Sequence, residues 1–178
     1  MNLVYIISPD FVKTYSGFIN SNVDNDLIDI GIIEAQEQQL QEILGTDLYE
    51  SILNKISGDT LSSDTVYNEL VETFVVKTLV YYTLAGVTPR LIMKFNNKNI
   101  GTQDSDNTTV IGSEEREYLI NGFNNKAAFY AKRLTDHLCY NSDIYPEYTS
   151  NTEDEMRPST NSRYNVGMDL TSKHDRRR

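Results

Sequence analysis

The chain has few side chains of the types that carry out catalysis, and they are not grouped. It contains two histidines, His137 and His174, and a single cysteine, Cys139. A nucleophile–base pair, a phosphate loop or a zinc site needs several such residues at set spacings, and none can be assembled around either histidine. We expect His137 to be an exposed helix residue and Cys139 a small core residue. The sequence therefore predicts no enzyme and no cofactor.

One acidic segment partly matches the template of a calcium-binding loop. Asp104, Asp106 and Thr108 stand at its first, third and fifth positions, and Glu115 stands at its twelfth. However, Thr109 occupies the position where the template needs glycine for a sharp turn. Polar loops match part of this template by chance, so we predict no metal site and keep a calcium-binding helical protein as a third reading.

The charge of the chain is unevenly distributed. The formal net charge is −10, and the residues through Tyr148 are strongly acidic, whereas the last thirty carry five acidic and six basic side chains. An acidic body repels nucleic-acid phosphates, which disfavours a conventional nucleic-acid-binding domain. The basic cluster Lys173–Arg178 keeps one alternative open, a soluble regulatory or nucleic-acid-binding helical module that uses its C-terminus.

No feature indicates an oxidising compartment or a membrane. A lone cysteine cannot form an internal disulfide, and Met1–Ile7 lacks the pattern of a signal peptide. The most apolar run, Phe74–Val87, is short for a bilayer and contains Lys77. We expect synthesis in the cytoplasm and no membrane partner.

Apolar residues recur at helical spacing through most of the chain, and no strand-like alternation persists. In the second helix the predicted core stripe joins Ile30 and Ile33 to Leu40, Ile43 and Leu44. The fourth is apolar all round from Phe74, which indicates a helix enclosed by neighbours or subunits, and Pro89 should end or kink it. Ser113 should cap the last helix, whose stripe contains Leu119, Phe123, Ala127, Tyr130, Leu134 and Leu138. The predicted helices are Asp10–Tyr15, Asp26–Leu44, Asp47–Ile56, Thr65 to about Ala85, and a last helix from Ser113, with one further turn over Leu91–Phe95.

The sequence thus predicts an all-α protein, a small bundle of four to five helices in residues 1–148. A long polar loop spans Asn96–Gly112, and an extended tail spans residues 149–178. The tail has only five apolar residues, too few to offset the entropy of ordering it, so we expect it to order by docking on a partner. Tyr145, Tyr148 and Tyr164 are expected at interfaces, because tyrosine offers a large contact area with a polar tip.

A set of short motifs lies between Ile30 and Tyr148. They are Ala35, Leu40-x-x-Ile43-Leu44-Gly45-Thr46-Asp47-Leu48-Tyr49, Leu79-x-Tyr81-Tyr82-x-Leu84-Ala85, Pro89, Lys94-Phe95-x-Asn97-Lys98, Tyr118-Leu119, Ala127-x-x-Tyr130, Leu134 and Leu138. Together these motifs resemble the head–tail connector (adaptor, or head-completion) proteins of tailed phages, in the form found in crAss-like and other Bacteroides phages. The resemblance covers roughly Ile30 to Tyr148, and Gly86 and Asn99 depart from its pattern.

This resemblance implies a structural virion protein in the phage neck, present in the host cytoplasm during assembly. About twelve copies would form a ring that joins the portal to a downstream neck or tail ring protein. DNA would pass through the ring without specific binding. We expect partner contacts from the polar loop and the tail, at Asn97, Lys98, Tyr164, Met168, Arg176, Arg177 and Arg178.

Overall fold

The computed structural model of the chain describes residues 3–96, 99–102, 112–150, 152 and 155–158, with the backbone alone for 92–96 and 99–102. Its helices are α1 Pro9–Ser16, α2 Asn25–Ala35, α3 Gln41–Leu44, α4 Thr46–Ser57, α5 Thr65–Leu70, α6 Val76–Ile92, α7 Ser113–Tyr140 and α8 Pro146–Ser150. A 3₁₀ turn at Leu61–Ser63 precedes α5. The predicted all-α bundle is confirmed. Counted as continuous segments, its main helices are α1, α2–α3, α4, α5–α6 and α7 within the described residues.

Helix ends follow the expected capping chemistry, with one correction. The Ser8 hydroxyl accepts from the Phe11 N–H at the start of α1, and the Asp64 carboxylate accepts from the Tyr67 N–H at the start of α5. Gly45, with φ of 77°, separates α3 from α4. The predicted cap of α7 is wrong by one residue. Gly112 is the cap, and the Glu115 carboxylate accepts its N–H at 3.2 Å.

Two π turns lie inside the long helices. Gln36–Leu40 joins α2 to α3, and Val71–Val75 joins α5 to α6. In each π turn the backbone hydrogen bonds join residues five apart instead of four. The side of the helix that is buried therefore rotates around the helix axis across the turn. Helix α6 continues through Pro89 to Ile92, so the predicted end near Ala85 is wrong, and beside Pro89 the Thr88 hydroxyl donates to the Leu84 carbonyl at 2.6 Å.

A short β-hairpin follows α6. Strand β1, Met93–Asn96, pairs antiparallel with β2, Asn99–Thr102, and Met93 lies opposite Thr102. The predicted further helical turn over Leu91–Phe95 is therefore wrong, and the first part of the predicted loop is paired backbone. Residues 103–111 of that loop lie outside the described part of the chain.

Helix α6 lies between α2 and α7. It meets α2 through Thr83 and Val87, and it meets α7 through Tyr81, which lies about 160° around the helix from Thr83. From Val76 to Leu91 only Gly86 is exposed. The chain itself therefore encloses this apolar helix, and its composition does not require a second subunit as cover.

By length and composition, Thr65–Leu91 is also the one helix among the described residues that could cross a membrane. In the structure, half of its most apolar window is buried inside the protein, as in a core helix.

The buried face of α2 differs from the predicted stripe. Ile28, Gly31, Ile32 and Ala35 are buried, whereas Ile30 is 52% exposed. The closest approach to α6 is at Gly31, where a Cβ would lie 2.2 Å from Val87 Cγ2. No Cβ fits at that distance, so glycine is required for the contact.

A buried glutamine ties the N-terminal segment to the bundle. The Gln36 side chain is 1% exposed. Its Oε1 accepts from the Ile6 N–H at 2.9 Å, and its Nε2 donates to the Val4 carbonyl at 3.1 Å. Because one amide satisfies two backbone groups, residues 4–6 lie along the bundle without joining a sheet.

Two glycines offer a matched test of this packing. We expect Gly31→Ala to lower the free energy of unfolding by about 1–3 kcal/mol, because the clash with Val87 outweighs the gain in helix propensity. Gly86→Ala is the control, since no atom lies within 4 Å of its Cβ position, and it should raise stability by up to about 1 kcal/mol. Urea unfolding followed by circular dichroism measures both changes. Equal effects of the two substitutions would contradict the close approach of α2 and α6.

Candidate interaction surface

Aromatic and basic side chains alternate along the flank of α7 that faces α1 and α6. Lys126 Nζ lies 5.6 Å from the ring centroid of Phe18 and 5.4 Å from that of Tyr81. Tyr81 stacks on Tyr130, with centroids 5.4 Å apart, and Arg133 lies 6.0 Å from the Tyr130 ring. Each cation–π contact at such an exposed site contributes about 0.5–1 kcal/mol. Together they fix α7 along α6.

The same seam continues inward through His137. Arg133 lies 5.6 Å from the Phe74 ring, and Phe74 stacks on His137 at 4.2 Å between centroids. The His137 Nε2 is 3.5 Å from the Tyr145 hydroxyl, and Tyr145 meets Tyr67 edge to face. His137 is thus half-buried, which corrects the expectation of an exposed residue. Burial lowers the pKa of His137, and Glu69 opposes this shift.

The inner end of the seam is a hydrogen-bonded polar group. The Tyr67 hydroxyl donates to Glu147 at 2.6 Å, and Lys55 lies 2.8 Å from Asp64 and 4.3 Å from the Tyr67 ring centroid. Burial, and then the hydrogen bond to Glu147, raises the pKa of Tyr67. These contacts join α4, α5 and α8, so the group serves packing and offers no activated nucleophile.

The outer face of α7 presents three aromatic side chains to solvent. Tyr118, Phe129 and Tyr140 are 82%, 59% and 89% exposed. They are spaced by eleven residues, which is close to three helical turns, so they form one stripe about 33 Å long. Exposed aromatic side chains aligned in this way are typical of protein–protein interfaces.

The predicted core stripe of α7 is confirmed on the opposite face. Phe123, Ala127, Leu134 and Leu138 are buried. The outer stripe was not predicted, although its eleven-residue spacing can be read from the sequence, because single exposed aromatic residues are common on helix surfaces and carry no signal of a shared face. We name Tyr118, Phe129 and Tyr140 the α7 outer stripe.

The first residues of the predicted tail lie on the body. The Thr46 N–H donates to the Met156 carbonyl, and the Met156 N–H donates to the Thr46 hydroxyl, both at 3.0 Å. The Glu155 carboxylate accepts from Gln41 Nε2 at 2.8 Å, and the Thr152 N–H donates to Asp47 at 2.6 Å. These contacts hold Thr152, Glu155 and Met156 against the junction of α3 and α4.

Seven of the sequence-predicted contact residues lie outside the described residues. They are Asn97, Lys98, Tyr164, Met168, Arg176, Arg177 and Arg178. Of the other predicted interface residues, Tyr145 and Tyr148 are 4% and 1% exposed, so they belong to the core because α8 folds back over α4. Cys139 is half-buried, with its Sγ 3.7 Å from the Tyr148 hydroxyl.

The calcium-loop hypothesis stays a prediction. Asp104, Asp106 and Thr108 lie outside the described residues, and the Glu115 carboxylate accepts the Gly112 N–H. Elsewhere in the described part, no group of three or more histidine, cysteine, aspartate or glutamate side chains could hold a metal ion.

Comparison with known proteins gives one match. Residues 40–157, about two thirds of the chain, match a family of unknown function, DUF6712. No curated protein and no solved structure matches the chain. The matched region ends one residue before Pro158, where the described chain also ends.

The burial of His137 makes a prediction about pH. Its lowered pKa means that the unfolded chain binds a proton there more readily than the folded chain, so this contribution to stability is lost as pH falls below about 6.5. We expect the urea concentration at the unfolding midpoint to decrease as the pH is lowered from about 7.5 to about 5.5, and to decrease less in His137→Gln. Comparing how the midpoint changes with pH in the two proteins removes any effect that the substitution has on stability at neutral pH. Identical slopes would contradict the buried, neutral imidazole.

Proposed function

We propose that this chain, which belongs to the DUF6712 family, is a structural virion protein that forms an oligomeric ring in the neck of a tailed phage. The ring joins the portal to downstream neck or tail proteins and lets DNA pass. One observation carries the assembly role. The α7 outer stripe is exposed on a chain that already covers its own most apolar helix. The phage identity rests on the motifs that resemble head–tail connectors.

Binding has more support than catalysis within the described residues. Two open depressions on the described surface have volumes of about 230 and 510 Å3, and no histidine or cysteine lines either of them. Exposed aromatic side chains on a rigid helix instead suit contact with another protein, since they bury much area at little cost in side-chain entropy.

The charge distribution suits a DNA conduit. Residues 1–148 contain 21 acidic and 10 basic side chains. A wall that bound phosphates through basic groups would retard DNA, and the strength of such binding would depend on salt. An acidic surface avoids that retention.

The anchoring role belongs to the residues beyond the body. Thr152, Glu155 and Met156 already bond to α3 and α4, so the portion assigned to the portal or a neighbouring ring is 159–178. That portion contains Arg176, Arg177 and Arg178, which can pair with carboxylates on a partner.

Truncation after Pro158 tests this role directly. We expect the helical circular-dichroism signal and the thermal midpoint to stay unchanged, because no described contact of the body is removed, while incorporation into phage particles is lost. Replacing Arg176, Arg177 and Arg178 with lysine is the control that keeps the charge. Normal incorporation of the truncated chain would reject the anchoring role.

DNA binding separates this proposal from the nucleic-acid-binding alternative. We expect the purified chain to bind duplex DNA weakly, since its body is acidic. Tight binding by a monomer, with an affinity that falls steeply as salt rises and that is lost on removal of Lys173–Arg178, would favour the alternative.

A further inference from the structure

We propose that neighbouring copies of this chain join head to tail, with the outer face of α7 on one copy packed against the outer face of α2 on the next. This inference rests on the proposed ring and names the surfaces that form it. The α7 face comprises the α7 outer stripe with Lys126, Lys132 and Arg133, and the α2 face comprises Asp26, Asp29, Ile30 and Glu37.

The two faces belong to helices that pack on different sides of α6. Helix α6 separates α2 from α7, and its Thr83 and Tyr81 sides lie about 160° apart. A molecule with two different complementary faces joins its copies heterologously, and such contacts close into a ring when the rotation between copies allows. A contact of the α7 face with itself would instead stop at two copies.

The faces match in length and in apolar content. The α7 outer stripe spans about 33 Å, and the continuous helix over residues 25–44 spans about 30 Å. On the α2 face Ile30 is 52% exposed, at the centre of an otherwise acidic surface. An aromatic side chain such as Phe129 packed on an aliphatic one, with charged groups at the rim, is typical of interface cores.

The charges of the two faces are opposite. Residues 118–140 of α7, the span of the outer stripe, contain three basic side chains and one acidic one, Asp136, although the chain as a whole carries −10. Residues 25–44 contain five acidic and no basic side chains, of which Glu34 is already paired with Arg90. Crowding of like charge on this face is evident at Asp29, whose pKa is raised by burial and then by Asp26. Opposite charge across the contact would relieve it.

The basic side chains of α7 are positioned for this role. Lys126 and Arg133 lie over aromatic rings of the seam, which holds their stems in place. Lys132 is 63% exposed, and its contact with Asp136 is long, at 3.8 Å. Exposed pairs of this kind are weak, so Lys132 can exchange Asp136 for a carboxylate of the next copy.

A charge-swap experiment tests the contact with the full-length chain. The α7 variant is Lys132→Glu with Arg133→Glu, and the α2 variant is Asp26→Lys with Glu37→Lys. Sedimentation velocity should show self-association of the natural chain that weakens as salt rises, and monomers for each variant alone. An equal mixture of the two variants should associate again, because every contact then pairs opposite charges. Circular dichroism checks that each variant is folded.

The apolar part of the contact has its own test. Phe129→Ser should weaken self-association at least about tenfold, as expected for an aromatic side chain at an interface centre. Val66→Ser is the matched control, since Val66 is also exposed but lies on α5, outside both faces.

Three results would overturn the inference. The first is a natural chain that stays monomeric up to its solubility limit, and the second is a mixture of the two variants that does not associate. The third is association that the α7 substitutions weaken and the α2 substitutions leave unchanged, which would indicate a contact of α7 with α7. Cryo-EM of the phage neck separates failure of this inference from failure of the proposed function. If the chain is present in the neck but its copies meet through other surfaces, only this inference fails. If the chain is absent from the neck although the charge swap succeeds, the proposed function fails.

Discussion

The close approach of α2 to α6 is the constraint on which the rest of the structure depends. Gly31 brings the two helices to a distance that admits no Cβ, and α7 covers the other side of α6. The apolar helix is thus buried by the chain itself, and the inner faces of α2 and α7 are used for that purpose. In the proposed ring, the surfaces available to neighbouring copies are the two outer faces, one acidic with Ile30 and one aromatic with basic flanks.

The seam along α7 makes these faces a rigid pair. Stacking of Tyr81 on Tyr130 and of Phe74 on His137 fixes how α7 is rotated on α6, and the cations between the rings oppose sliding. Since the surfaces are ordered before any partner arrives, little conformational entropy remains to be lost on association. A modest contact repeated between many copies can then hold an assembly together.

The sequence predicted the helices and the core of α7 because their periodicity is unbroken over many turns. It failed in α2, where the predicted stripe joined Ile30 and Ile33 to Leu40 and Leu44 across Gln36–Leu40. The π turn there adds about one residue to a turn, which rotates the buried face by about 100°. Local sequence carries no clear signal for such a turn. The hairpin after α6 was missed because strands of four residues are too short to show alternation.

A count of apolar residues does not detect the polar hydrogen bonds that hold the start of the tail on the body. The tail's composition suggests a segment unable to order on the body, yet Thr152, Glu155 and Met156 bond to α3 and the start of α4 through polar groups. The first N–H groups of a helix have no partner within it, and the Thr46 N–H is satisfied by the Met156 carbonyl. This contact depends on backbone geometry instead of apolar burial, and the family match extends to the same point. Contacts between the body and the C-terminal segment thus extend past Tyr148 to Met156, and the proposed docking role is assigned to residues beyond them.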